Sequence, residues 1–428
     1  MPTAAGCASS SWRSLTAPKG VPRVGVLSPA ASEHLDPVRE AGGEPLPLGL
    51  PGARPKGGVA LHREWITDWT QISCSGEYLD ALLVSATEPA ELAALLIAAL
   101  RLYVPAVVAV PLTSPFAVAL AALGFVPLNE DPAEVVVGVA RDGGPRSREL
   151  IEGFSLANAL RAGLSSGAGP ELLVHLAAMA REAGVVGFPQ MIRVLAPENP
   201  GISTPDSSWF STHGVAGLLA HLGETLHDAP TVTGRLKEAL PPTPPAPEAS
   251  GPRLVFVRGR ASGTEAVCRT RKGVAEVSGD CRFYPSEKAA IRAVEDVAVY
   301  PSDVLVVAGC GPRGGPGLLR LDRLKHALGE AGLVGVVPVL TDGLPPEDAP
   351  GTWTSLMTPE AAVGGVIGRL WSGDTLRLDL AEGLIRTGVE PDEFRRREPY
   401  APPVPSGFDY AARYARAVLP ALKGAGFG

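Results

Sequence analysis

VVAGCGPRGGPGL, residues 306–318, sets five glycines and two prolines behind a short apolar run. A strand entering such a turn brings backbone N–H groups together, which suits an anion or another ligand. The same glycines serve equally in a strained connection that only needs positive φ. The spacing fits neither the phosphate loop ending in Gly-Lys-Ser/Thr nor the dinucleotide fingerprint. Around it, RLVFVRGRA, AVCRTRKGVAEV, VGVVPVLTDG and DTLRLDLAEG read as short strands, with one good helix, SEKAAIRAVEDV. Many short strands with little helix predict a barrel or compact sandwich.

The first half reads differently. RVGVL, DALLVS, PAVVAV and EVVVGVA are strand-like, with EPAELAALLIAALRL and PFAVALAALGF as helices between them. Apolar strands alternating with helices predict a mostly parallel sheet covered on both faces. Three helix-rich segments follow, and then LPPTPPAPEASGP (240–252), too rich in proline to pair in a sheet. The expected organisation is a flexible tail over 1–20, an α/β domain over 21–240, a Pro-rich linker over 241–252, a β-domain over 253–390, and a C-terminal tail with closing helix over 391–428.

The 428 residues suffice for two cores, and 45% hydrophobic against 19% charged residues excludes general disorder. A net charge of −7 with no Lys/Arg block excludes a nucleic-acid partner. The longest apolar run is broken by Arg101, Pro105 and Pro111, so it predicts a buried helix and strand, not a membrane span. The N-terminus lacks the apolar core of a signal peptide, and a cytoplasmic location is expected. Cys7, Cys74, Cys268, Cys281 and Cys310 form no CxxC pair, which suits reduced thiols and makes poor ligands for zinc or an iron–sulfur cluster.

With its surroundings, the opening stretch resembles the dihydroxy-acid dehydratase and 6-phosphogluconate dehydratase family. CGPRGGPGL stands where members carry EGPKGGPGM. CRFYPSEKAAIRAV, VLTDG, MTPEAAVGGVIGRLWSGDTLRLDL and YLDALLVS are similar to further family motifs in the same order. The resemblance implies an α/β/α first domain and a swivelling, aconitase-like β-barrel closing over the active site. It also implies removal of water from a 2,3-dihydroxy acid, by an iron–sulfur cluster on three cysteines with Mg²⁺ beside it.

Matched residue by residue, the family's metal ligands are replaced. Glu88 stands at a cluster cysteine, Pro89 at the Asp after it, Ala90 at the magnesium-site Lys and Cys310 at a magnesium-binding Glu. Pro346 stands at the Ser that acts as base, and Gly167 to Glu171 at the family's GGSTN loop. The segments for the other two cluster cysteines are shortened or deleted. Loss of the ancestral dehydration is therefore expected, with no cofactor and no metal.

The replacements admit alternatives. Cys310 is a nucleophile or weak acid, or a small apolar filler. Glu88 is a general acid, or a charge at a helix N-terminus. Asp342 is an acid–base group, or a turn former in TDG. These three are the catalytic candidates. Ser85, Thr87, Glu171, Gly311, Arg313, Thr341, Leu344 and Trp353 are the substrate-binding candidates. Trp65 and Trp69 line a pocket or fill core, His175 is expected as a satisfied core histidine, and His213, His221 and His227 at the surface.

The preferred expectation is a cofactor-free enzyme of specialised metabolism that forms rings in a polyketide-like substrate, in an apolar cavity between the domains. The segments 85–88, 167–171, 310–315 and 341–344 would bound that cavity. A metal-free dehydratase or isomerase and a non-catalytic binding protein are the alternatives. The expected partners are a small apolar substrate and a second copy of the chain.

Overall fold

The computed structural model describes residues 20–52, 55–247, 251–259 and 263–428. Apart from Gly20, the tail expected over 1–20, with Cys7, lies outside them.

The first domain begins with β1 (Arg23–Leu27), α1 (Ser32–Glu40), β2 (Glu44–Leu48), α2 (Val59–Ser75), β3 (Ala81–Val84), α3 (Pro89–Leu102), β4 (Ala106–Val108) and α4 (Pro115–Ala122). The sheet is wholly parallel in the order β2-β1-β3-β4. Its strands β3 and β4 are buried along their whole length, so each reads as an unbroken apolar run. EVVVGVA, expected as a strand, is instead part of α5 (Pro132–Asp142). Asp131 caps that helix by accepting from Ala133 N and Glu134 N, Pro132 opens it and Gly143 ends it at φ 77°. Those caps outweigh the β preference of three consecutive valines. Helices α6 (Ser147–Leu150), α7 (Gly153–Ser165), α8 (Pro170–Glu182), α9 (Phe188–Glu198) and α10 (Ser208–His221) follow, then a small hairpin of β5 (Pro230–Thr231) and β6 (Gly234–Arg235).

The second domain contains β7 (Arg253–Gly259), β8 (Glu265–Thr270), β9 (Glu276–Tyr284), α11 (Glu287–Glu295), β10 (Asp303–Val307), α12 (Asp322–Glu330), β11 (Val339–Thr341), β12 (Trp353–Thr358), β13 (Thr375–Asp379) and β14 (Leu384–Thr387). The strands close into a barrel in the order β10-β11-β12-β8-β7-β14-β13-β9. AVCRTRKGVAEV is not one strand: the chain turns through Gly273, at φ 90°, between β8 and β9. Helices α13 (Pro391–Arg396) and α14 (Tyr410–Ala417) end the chain. Among the described residues no helix is long and apolar enough to cross a membrane.

The two domains share packed core. Leu318, Leu344 and Leu356 from the barrel side are fully buried in the same apolar cluster as the first domain's sheet and helices. The terminal segment returns there too, burying Tyr414, Leu422 and Ala425. The Pro-rich segment is strapped down: Trp209 Nε1 donates to Pro245 O at 2.9 Å, and Gly201 N donates to Pro252 O at 2.8 Å.

Candidate functional site

The Gly-rich turn satisfies itself. Asp342 accepts from the backbone N–H groups of Gly309 (3.2 Å), Cys310 (2.8 Å) and Ala361 (3.0 Å). Glu360 accepts from those of Arg313 (3.0 Å) and Gly314 (3.1 Å). Gly315 N and Gly317 N donate within the turn, to Gly311 O and Pro312 O. The carbonyls face the other domain. Pro316 O, Leu318 O and Gly317 O accept from Gly58 N, Val59 N and Ala60 N, capping the N-terminus of α2. A Cβ on Gly317, at φ 91°, would lie 2.7 Å from Leu61 N, so only glycine allows this approach. The chain's own groups thus occupy the turn: carboxylates hold the N–H groups, and a helix end takes the carbonyls.

The catalytic candidates separate. Cys310 and Asp342 lie together but are buried, each 1% exposed. Burial, then the nearby Asp342, pushes the Cys310 thiol well above its ordinary value. Burial also raises the Asp342 carboxyl, against the opposing pull of its N–H donors. Glu88 sits apart and exposed, at the N-cap of α3, with Arg320 Nη2 3.8 Å away. Of the binding candidates, Thr87 is exposed and Ser85 half-buried. Thr341 and Leu344 are fully buried. Trp353 is core: it packs in the barrel-side cluster and donates to Pro350 O at 3.0 Å. Gly311 cannot carry a larger side chain without displacing Glu360, whose Cβ would lie 2.8 Å from an added Cβ. Trp65 stacks edge-on against Tyr410 at 5.1 Å, while Trp69, His213, His221 and His227 are half-buried.

Glu171 joins a buried chain of groups. Arg63 Nη1 lies 3.3 Å from His175 Nδ1, and His175 Nε2 lies 3.1 Å from Glu171 Oε1. Arginine cannot accept, so Nδ1 is the acceptor and Nε2 carries the proton given to Glu171. Burial lowers the affinity of His175 for a second proton, although Glu171 opposes this. Burial also works against ionising Glu171, but His175 and then Arg320 outweigh it and hold the carboxyl below its ordinary value. Arg320 Nη1, from the barrel side, reaches Glu171 Oε2 at 3.1 Å.

Among the described residues, the segments expected to bound a roomy apolar cavity between the domains do not enclose one at the Gly167–Glu171 loop. The space at the Gly167–Glu171 loop is about 20 Å³, room for about one water. Its walls include Phe116, Leu172, Pro89, Pro345 and Pro346. The Cys310–Gly315 turn does not line it, because that turn is closed on Asp342 and Glu360.

The described donors do not suit the family's metal groups. Cys74 packs in the first-domain core, Cys268 and Cys281 inside the barrel, and Cys310 in a third cluster, so no three thiols converge. Among the described residues no group of three or more His, Cys, Asp or Glu could hold a metal ion. Sequence reasoning passed over Glu360 and Arg320. Glu360 stands in MTPEAAVGG, separated by three residues from the Gly364-Gly365 pair, with a carboxylate able to reach back to a turn.

A parallel α/β layer docked on a closed barrel through a Gly-rich turn defines a two-domain scaffold of the dehydratase type. Residues 245–425 match the family described as dihydroxy-acid/6-phosphogluconate dehydratase C-terminal. The chain belongs to that family. It is 30% identical over 318 residues to the dihydroxy-acid dehydratase of Geobacter metallireducens, covering 68% of this chain and 57% of that protein. It is 31% identical over 307 residues to that of Citrifermentans bemidjiense, covering 66% and 55%. It is 31% identical over 318 residues to dihydroxy-acid dehydratase 2 of Bordetella bronchiseptica, covering 68% and 55%. The chain spans just over half the length of these relatives.

Proposed function

We propose that this chain keeps the dehydratase scaffold without the dehydration, and acts as a non-catalytic binding or partner protein. The observation that carries this reading is the closed seam. Arg320 grips Glu171 at the loop that matches the family's GGSTN segment, leaving space for about one water. Glu88, Pro89, Ala90 and Cys310 at the ligand positions support it, since a cluster needs thiolates and Mg²⁺ needs hard oxygens. The test is anaerobic reconstitution with iron, sulfide and Mg²⁺, then assay of 2,3-dihydroxyisovalerate and 6-phosphogluconate. No 2-keto acid above the buffer rate is expected, and turnover would overturn the reading.

One observation favours the second reading, ring formation by a cofactor-free enzyme. The small cavity is walled by Phe116, Leu172 and four prolines, and the latch closing it is an ion pair between domains, not a covalent tie. Confinement in an apolar cleft can fold a flexible chain for cyclisation. Saturable binding of an aromatic fluorescent probe by Glu171→Gln, absent in Leu172→Trp/Glu171→Gln, would show that the cleft opens once the latch is removed, which ring formation requires, and no binding would sink this second reading.

A further inference from the structure

Away from the domain seam, α7 and α9 leave an open groove of about 560 Å³, the size range of small-molecule sites. Phe154, Ala157, Met191, Val194 and Leu195 make its walls, and Phe154 and Val194 are 58% and 59% exposed. Such a patch of exposed apolar side chains is a feature that soluble proteins keep small unless something covers it.

One end of the groove is fixed. Asn158, fully buried, donates to His227 O and accepts from His227 N, both at 2.8 Å. The imidazole is thereby placed against Phe154, ring centres 4.4 Å apart. The other end carries a charge. Arg161 lines the groove, and its Nη1 is buried without a hydrogen-bond partner. Among the described residues it is the one terminal guanidinium nitrogen in that condition, and no carboxylate forms an ion pair with Arg161. A half-buried cation beside apolar walls calls for an anion. Glu152, the N-cap residue of α7, also lines the groove, about two and a half helical turns before Arg161. It repels a second negative charge at the far end.

We propose that the α7–α9 groove is a binding site for a small amphipathic monocarboxylate, its carboxylate paired with Arg161 and its apolar body laid along Met191, Val194 and Phe154. The Gln190 side chain lines the same groove and adds a neutral hydrogen-bond donor to it. This site is separate from the domain seam and independent of whether the seam is catalytic.

Calorimetric titration of the full chain with octanoate, octanol and inorganic phosphate tests it. Octanoate should bind saturably at one per chain, octanol at least tenfold more weakly, and phosphate not at all. Arg161→Met, checked by circular dichroism for intact fold, should abolish the preference for octanoate over octanol. Val194→Glu should remove both. Equal binding of octanoate and octanol by the unaltered protein would overturn the proposal, as would octanoate affinity unchanged by Arg161→Met. Sedimentation supplies a further arm: a dimer converted to monomer by Val194→Glu would make the groove a subunit contact, and the proposal would fall.

Discussion

Arg320 and Glu171 meet across the domain seam, Nη1 to Oε2 at 3.1 Å, with His175 and Arg63 lined up behind the carboxylate. The pair joins the loop leaving the Gly-rich turn to the first turn of α8. Both side chains are mostly withdrawn from water, 22% and 11% exposed. Truncating either one leaves a poorly solvated charge, so the loss exceeds that of an exposed pair.

That pair gives the first prediction. A double-mutant cycle with Arg320→Met and Glu171→Gln should show a coupling of about 1–3 kcal/mol in denaturant unfolding. Because the Glu171 carboxyl is held below its ordinary value, its stabilisation is complete above the unfolded-state value, about pH 4.3, and is lost as pH falls through the lower folded value. Additive single mutants would show that the latch carries no energy.

Glu360 predicts the opposite pH trend. Burial pushes its carboxyl up to about 7, although the N–H groups of Gly314 and Arg313 oppose the shift. The folded state then holds a proton that the unfolded chain has released, so stability falls as pH rises from about 4.3 towards 7. The loss is on the order of 3–4 kcal/mol, and Glu360→Gln should remove it. Urea midpoints at pH 5 and pH 8 should therefore differ less in the variant than in the unaltered protein. An unchanged difference would refute the assignment.

The burial of Cys310 leads to a third prediction. With its thiol raised and only 1% exposed, Cys310 should resist iodoacetamide at pH 8 in the folded protein and react once it is unfolded. Peptide mass mapping reads this directly. Cys310→Ala should cost about 1–2 kcal/mol, as a small deletion in packed core does. Rapid labelling of the native protein would restore the nucleophile as a serious candidate.

The distribution of thiols among separate cores makes the fourth. Protein purified anaerobically, or reconstituted with iron and sulfide, should stay colourless and bind iron far below one cluster per chain. A brown protein with stoichiometric iron and sulfide would reverse the reading of Glu88 and Cys310.

Local signals carried much of the architecture. The unbroken apolar runs of β3 and β4 and the periodic α3 stand out because burial dictates composition directly. Where two local signals conflict, as the valines and the caps of α5 do, composition alone misleads. β2 was invisible for another reason: Pro45 and Pro47 lack N–H groups, which only an edge strand tolerates. The site was harder still. Nothing local to Arg320 announces Glu171, and nothing near Asp342 announces the three N–H groups it accepts from. Such pairings exist only once distant segments have been folded together.

The self-satisfied turn at Gly309–Leu318 has a consequence for how such chains are recognised. Its glycines are required by α2 pressing on one side and two carboxylates on the other, and neither demand involves a substrate. The contacts with α2 and with the two carboxylates alone hold these glycines in place, whichever side chains stand at Cys310, Arg313 and Leu318. The loop is therefore a record of descent. In a genome, finding it dates the architecture and is silent about the reaction.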